Sequence, residues 1–316
     1  MKYNRRLFLR NSGLFASGIA LAGIGCASPS NKDEGENTDT AKTTDTTSNV
    51  VAAQPLGPFG LQLYTLRDDL PKDPKGILKQ VADMGYKQIE GYEGPKGLWW
   101  GMKNKEFKSY LDELGLVMIS SHCEFKKDFE RKAGEAGEIG LKYLIAPWLG
   151  PQKKLDDFKK FAETFNKCGD ICKKHGLKFA YHNHGYGLKE MDGQIPLKLI
   201  LDGTDPSLVF FEMDLYWTTA GGADPVAYLE SFKNRYRLMH VKDMSKKVQF
   251  SGDGGSPEQW IELFPYMTTA GSGVIDLKTI LPKAKENGVQ HFIVEQDMVA
   301  QPEVNLKKSF DYLAAL

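Results

Sequence analysis

The sequence predicts one α/β domain built as a (β/α)8 TIM barrel, and three observations predict it. Eight short runs rich in β-branched and aromatic residues recur between Phe59 and Asp297. Longer stretches with helical spacing separate them. Several of those stretches end in Gly, as in "DMGYK", "ELGLV", "EIGLK", "KHGLK" and "ENGVQ". A Gly just past the last turn adopts the left-handed conformation that ends a helix without a Cβ penalty. A doubly wound open sheet is the competing architecture, but no Gly-x-Gly-x-x-Gly opens the first helix.

In chain order the runs are "FGLQLYT", "YKQIEGY", "GLVMISSHC", "LKYLIAPW", "LKFAYHNH", "LVFFEMD", "RLMHVKD" and "HFIVEQD". The spacing between them predicts helices over Pro74–Met84, Asn104–Leu114, Leu155–His175 and Ile275–Asn287. "KNKEFK" and "EFKKDFERK" read as solvated helix faces. Cys123 ends a strand, and Cys168 and Cys172 share a helical stretch in poor geometry for a bridge. All three read as free, buried thiols with no disulfide framework.

The barrel occupies residues 56–316. Residues 1–27 read as an export signal: Arg5 and Arg6 precede Phe8 and Leu9, and an apolar run follows from Leu14 to Cys26. That run is shorter than the roughly 20 residues a spanning helix needs. The order resembles a twin-arginine signal, an address for proteins exported already folded. Cys26 stands where a lipoprotein would be acylated, with Gly23 where a larger aliphatic is usual. Cleavage after Ala22 or Ala27 is the alternative. Residues 28–55 are Asn, Asp, Glu, Thr and Ser with few apolar groups, the composition of a disordered tether. The expected location is periplasmic, with the membrane touched only through a lipid on Cys26.

Forty-one Lys and Arg balance 41 Asp and Glu. That balance disfavours a nucleic-acid groove or an anionic membrane surface as the main partner.

In such a barrel the site is built where the strands end. The second run ends in Glu90, followed by Glu93, and the third in His122. The fifth ends in His182 and His184, and the sixth in Glu212 and Asp214. The seventh ends in His240, Lys242 and Asp243, and the eighth in Glu295 and Asp297. Period-two alternation puts Glu212 with Asp214, and His240 with Lys242, on one face. Charged groups there are costly unless paired or bound to a metal. Imidazole and carboxylate together suit one divalent ion among Mn, Fe, Co, Ni and Zn, and the absence of thiolates disfavours a structural zinc. The expected ligands are His182 or His184, with Asp214, His240 and Glu295. His175 reads as the end of a helix, and His291 as the entry to the eighth strand.

The order "GLQLYTLRD", "GYKQIEGYE", "AYHNH", "EMDLYWTTAGGADP", "MHVKDM", "GSGVIDLKTIL" and "VEQD" resembles the xylose-isomerase-like TIM barrels. These form the sugar phosphate isomerase/epimerase superfamily, with its ketose 3-epimerases and inosose isomerases and dehydratases. The likeness runs from about Phe59 to Leu316. It implies a divalent metal on Asp214, His240, Glu295 and a fifth-strand residue. Many relatives have a glutamate there that also moves protons; this chain has His182. The His-rich ending is more like the inosose dehydratases and the secreted Bacteroidetes relatives that act on 3-keto-glycosides.

The resemblance implies proton abstraction next to a carbonyl. Glu295 is the candidate base, Lys242 and His122 polarise oxygens or act as acids, and Glu90 binds hydroxyls or moves protons. Trp217, His184 and Glu212 are candidate substrate contacts, with Trp99 and Trp100 at the mouth. The expected activity is that of a metal-dependent isomerase or epimerase acting on an unphosphorylated sugar, because "GDGGS" at 252–256 is a weak phosphate cradle. The alternatives are a lyase or dehydratase acting on a keto-sugar or 3-keto-glycoside, a non-catalytic carbohydrate-binding barrel, and a multi-metal nuclease that lacks its basic groove.

Overall fold

The eight runs become the eight strands of one closed, all-parallel barrel. The computed structural model describes residues 56–316; the segments expected to be an export signal and a tether, with Cys26, lie outside the described residues. In chain order the strands are β1 (Gly60–Gln62), β2 (Gln88–Tyr92), β3 (Val117–His122), β4 (Tyr143–Ala146), β5 (Lys178–His182), β6 (Val209–Asp214) and β7 (Tyr236–Val241). A short antiparallel ribbon of β8 (Asp243–Met244) and β9 (Met267–Thr268) follows, and β10 (His291–Val294) is the eighth barrel strand. β1 pairs with both β10 and β2, which closes the ring.

The four predicted helices appear as Pro74–Asp83, Asn104–Glu113, Leu155–Lys174 and Leu277–Glu286. Their ends follow local chemistry. Asp73 accepts a hydrogen bond from Gly76 N at 2.9 Å to cap the first. Gly176, at φ +75°, follows His175 past the end of the third. The fourth starts two residues later than its spacing suggests, because Asp276 caps it by accepting from Thr279 N. "EFKKDFERK" is a solvated face only in part. Its Phe125, Phe129 and Lys132 are buried, and Lys132 Nζ lies 2.7 Å from Glu93 Oε2.

The pleat sorts the strand residues. Phe179 on β5 points outward to the rings of Phe125, Phe129 and Phe165. A second cluster joins Ile119, Tyr143, Ile145, Ala180, Phe210, Leu238 and Ile293. It plugs the barrel interior below the polar strand ends, as stacked layers of side chains do in this architecture. Among the described residues no helix is long and apolar enough to cross a membrane.

Candidate metal centre and active site

The same alternation that sends Phe210, Leu238 and Ile293 into the apolar plug sends Glu212, His240 and Glu295 into the next layer up. Register sets their neighbours: His182 lies beside Glu212, and Asp214 beside His240. Contacts between strands that do not pair show that these side chains meet inside the barrel. His240 Nε2 on β7 is 2.7 Å from Glu90 Oε1 on β2, and His122 Nε2 on β3 is 2.8 Å from Glu212 Oε2 on β6.

The lower tier is Glu90, Glu212, His122, His182 and His240. Glu90 also accepts from Gln62 Nε2 at 2.6 Å and Ser120 Oγ at 2.5 Å. Burial opposes its ionisation, yet His122 and His240 hold its carboxyl well below the usual range. Burial alone would neutralise His122, but Glu90 and Glu212 outweigh it and lift the imidazole to about 9. Glu212 rises to about 7 through burial and the nearby Glu90 charge. His182 Nδ1 faces Glu212 Oε2 at 3.1 Å, and its Nε2 is 3.7 Å from Asp214 Oδ2. Burial, reinforced by His240, pushes the His182 pKa well down.

The upper tier centres on Lys242, 2% exposed, whose Nζ lies 2.9 Å from Asp214 Oδ2, 2.6 Å from Glu295 Oε2 and 2.7 Å from Asp297 Oδ2. Burial disfavours its charge, but these three carboxylates raise its pKa well above that of a free lysine. Burial likewise works against the Glu295 anion, and Lys242 with His240 overcomes it, so the carboxyl stays ionised. His240 Nδ1 is 2.8 Å from Glu295 Oε2, which ties the tiers together. Asp214 also caps the helix Leu215–Ala220, accepting from Trp217 N at 2.8 Å.

These donors fit a divalent ion. His122, His182, Glu212 and His240 each offer one ligand atom within a 4.8 Å cluster, as do Asp214, His240 and Glu295. All are buried, and Glu212 Oε1 has no hydrogen-bond partner among the described residues. A mixed imidazole and carboxylate set suits the later first-row metals.

Above the tiers opens a cavity of about 450 Å³. Six of the predicted residues line it: His122, His182, His184, Trp217, Lys242 and Glu295. Five placements need correction. Glu90 and Glu212 are fully buried beneath the cavity and do not line it, so neither is placed to bind a hydroxyl of the substrate. Trp99 and Trp100 are buried away from the mouth, because the turn around Gly97 (φ +78°) and Trp100 (φ +55°) folds them inward. Trp99 Nε1 donates to Glu135 Oε2, and Trp100 packs on Tyr92. Asp243 serves the fold, accepting from the backbone N–H groups of Met244, Gly271, Gly273 and Ile275.

The sequence reading missed Tyr64, Trp148, Trp260 and Phe264, which also line the cavity. Trp148 closes the fourth run, "LKYLIAPW", and so carried a strand-end signal. Trp260 lies in the long β7–β10 connection and carried none.

The family model described as xylose isomerase-like TIM barrel matches residues 78–316. An inosose dehydratase of Clostridium beijerinckii is 29% identical over 289 residues, covering 78% of this chain and 92% of that protein. The inosose dehydratase of Geobacillus kaustophilus is 24% identical over 272 residues, covering 76% and 86%. A solved sugar phosphate isomerase/epimerase of Parabacteroides distasonis superposes with a TM-score of 0.66 at 29% identity, covering 87% of this chain and 98% of that one.

Proposed function

This chain belongs to the xylose isomerase-like TIM barrel family, and from that premise we propose that it is a metal-dependent keto-sugar lyase that removes a β-oxygen after enolisation. It is a sugar-modifying enzyme of this fold, and curated relatives named inosose dehydratase favour elimination over the isomerase reading drawn from the sequence. The observation that carries the proposal is the cavity floor. The ionised carboxylate of Glu295 lies there 2.6 Å from a protonated Lys242, which also holds Asp297, with a protonated His122 on the same cavity. A carboxylate base flanked by two acids suits elimination. An epimerisation would need a second base, and His182 stands where the resemblance implies that base should be.

Glu295 takes the proton from the carbon next to the carbonyl. The charged Lys242 donates a hydrogen bond to the carbonyl oxygen, stabilising the negative charge that develops there. As the carbon–carbon double bond forms, the β carbon–oxygen bond breaks. His122 gives its proton to the departing hydroxyl, which leaves as water. Proton exchange with solvent then restores Glu295 and His122. His182, Asp214, His240 and Glu295 would hold a divalent ion, whose chemistry is Lewis-acid stabilisation of the enolate charge, worth several kcal/mol.

The test is to incubate the purified protein, with Mn, Co or Zn, with an inosose and with 3-keto-glucosides in D2O. Products are followed by NMR and by ultraviolet absorbance. An unsaturated ketone formed with loss of water is the expected result. An epimer or an aldose–ketose isomer without unsaturation would move the assignment to isomerase. No turnover of any keto-sugar would leave a binding barrel. Export to the periplasm, with Cys26 lipidated or removed, is part of the same proposal. Cell fractionation and the mass of the mature N-terminus check it.

A further inference from the structure

The walls of the cavity divide by chemistry. A cyclic polyhydroxy ketone is held by hydrogen-bonding groups around its rim, and the floor supplies them in His122, Lys242 and Glu295. The side beyond Trp217 supplies something else. Lys242 Nζ lies 5.8 Å from the Trp217 ring centroid. Trp217 neighbours Trp260 at 6.2 Å, and Trp260 meets Trp148 edge to face at 4.6 Å. His184 stacks on Trp260 at 5.8 Å with an interplanar angle of 15°.

That wall presents ring faces and edges. The Trp260 indole N–H is already donated to Gly254 O. The "GDGGS" loop therefore anchors Trp260 at the cavity. Among the described residues, the only large aromatic side chains classed as exposed are Tyr64 (40%) and Trp148 (41%), and both line this one cavity. Exposed aromatic surface costs solubility and concentrates where a ligand covers it. The cavity, about 450 Å³, also lies within the roughly 300–1,000 Å³ of pockets that take ligands larger than one small ring.

We propose that the chain binds a two-ring ligand, with a sugar ring on the charged floor and a flat aromatic aglycone against Trp148 and Trp260. The inference rests on the sugar-lyase reading above and narrows its substrate class to aryl glycosides oxidised to ketones.

Calorimetric titration of the full chain with 4-nitrophenyl β-glucoside and with methyl β-glucoside tests the subsite without turnover. The aryl compound should bind several-fold to about tenfold more tightly, the scale of one aromatic stacking contact. Trp148→Ala should collapse that ratio towards one, and Trp148→Phe should keep most of it, with both variants checked for wild-type melting. Equal affinities for the two probes, no binding of either, or a ratio unmoved by Trp148→Ala would overturn the proposal. Failure of the lyase reading is separable. It would appear as absent keto-sugar turnover while the aryl preference persists.

Discussion

Replacing Lys242 by Met removes the one cation shared by Asp214, Glu295 and Asp297. The side chain is 2% exposed, and Asp214 and Glu295 beneath it are 0% and 6% exposed. The charges left behind therefore face one another out of water. Breaking a buried ion pair by deleting one partner costs about 3–5 kcal/mol. Uptake of a proton by Asp214, whose pKa burial already raises, limits the loss to the lower part of that range. For a domain of this size about 3 kcal/mol lowers Tm by roughly 6 °C. The assay is thermal unfolding of wild type and Lys242→Met in chelator, repeated with a divalent ion added. In chelator the variant should melt about 6 °C lower. Added ion should recover more of the variant's loss than it adds to wild type, because Asp214 and Glu295 no longer share their oxygens with an ammonium. Turnover should fall by at least about a hundredfold, the usual contribution of a positioned acid. A metal-free variant that melts with wild type, or an ion that stabilises both proteins equally, would refute the reasoning.

Three further outcomes follow from the same geometry. Metal analysis of protein purified without chelator should find about one divalent ion per chain, lost in Asp214→Ala and in His182→Ala; no metal after reconstitution would remove the metal from the mechanism. His291, bonded through Nδ1 to Gln88 Oε1 at 3.1 Å, has its pKa pushed down to about 4 by burial and then by Lys142. Its folded value is below its unfolded value of about 6.5, so the unfolded chain takes the proton first and stability is lost as pH falls from about 6.5 to about 4, by about 3 kcal/mol in all. His291→Gln should flatten that part of a denaturant-midpoint profile; parallel profiles would falsify the assignment. Phe179→Ala should cost about 3–5 kcal/mol, because a fully buried ring among Phe125, Phe129 and Phe165 is deleted; a loss under about 1 kcal/mol would mean that the barrel-to-helix layer collapses around the gap.

The barrel was legible because its signals are local. Gly85 and Gly176 end helices at positive φ, and strand alternation put Glu212 with Asp214 and His240 with Lys242. Depth along the barrel axis was not legible. Glu90 stands two residues short of the end of β2 whereas Asp214 closes β6, and Glu90 lies under the cavity. Its height depends on a register shift between Ile89 and Glu90 against β3, which no single strand reveals. Trp260 was hidden for a different reason. It sits on the short helix Pro257–Leu263, and its place at the cavity is set by the bond to Gly254 O and by packing on Trp148 and Trp217, which belong to other segments of the chain.

His182 shows how a site can change one residue and keep its charge. The resemblance implies a glutamate at this strand end, so a histidine there suggests an anion lost from the metal shell. In the structure the anion lies one step away. Glu212, beside His182 in register, places Oε2 3.1 Å from His182 Nδ1, 2.8 Å from His122 Nε2 and 3.2 Å from His240 Nε2. A neutral His182 therefore joins Asp214 through Nε2 while Glu212 holds its other nitrogen, the carboxylate–histidine pairing that orients metal ligands and raises their basicity. What the exchange removes is a mobile proton acceptor at the substrate, because His182 Nδ1 is occupied by Glu212 and the Glu212 carboxyl does not reach the cavity. On the lyase reading proposed above, an anion kept in Glu212 with one of two bases withdrawn would favour elimination over epimerisation on a shared barrel.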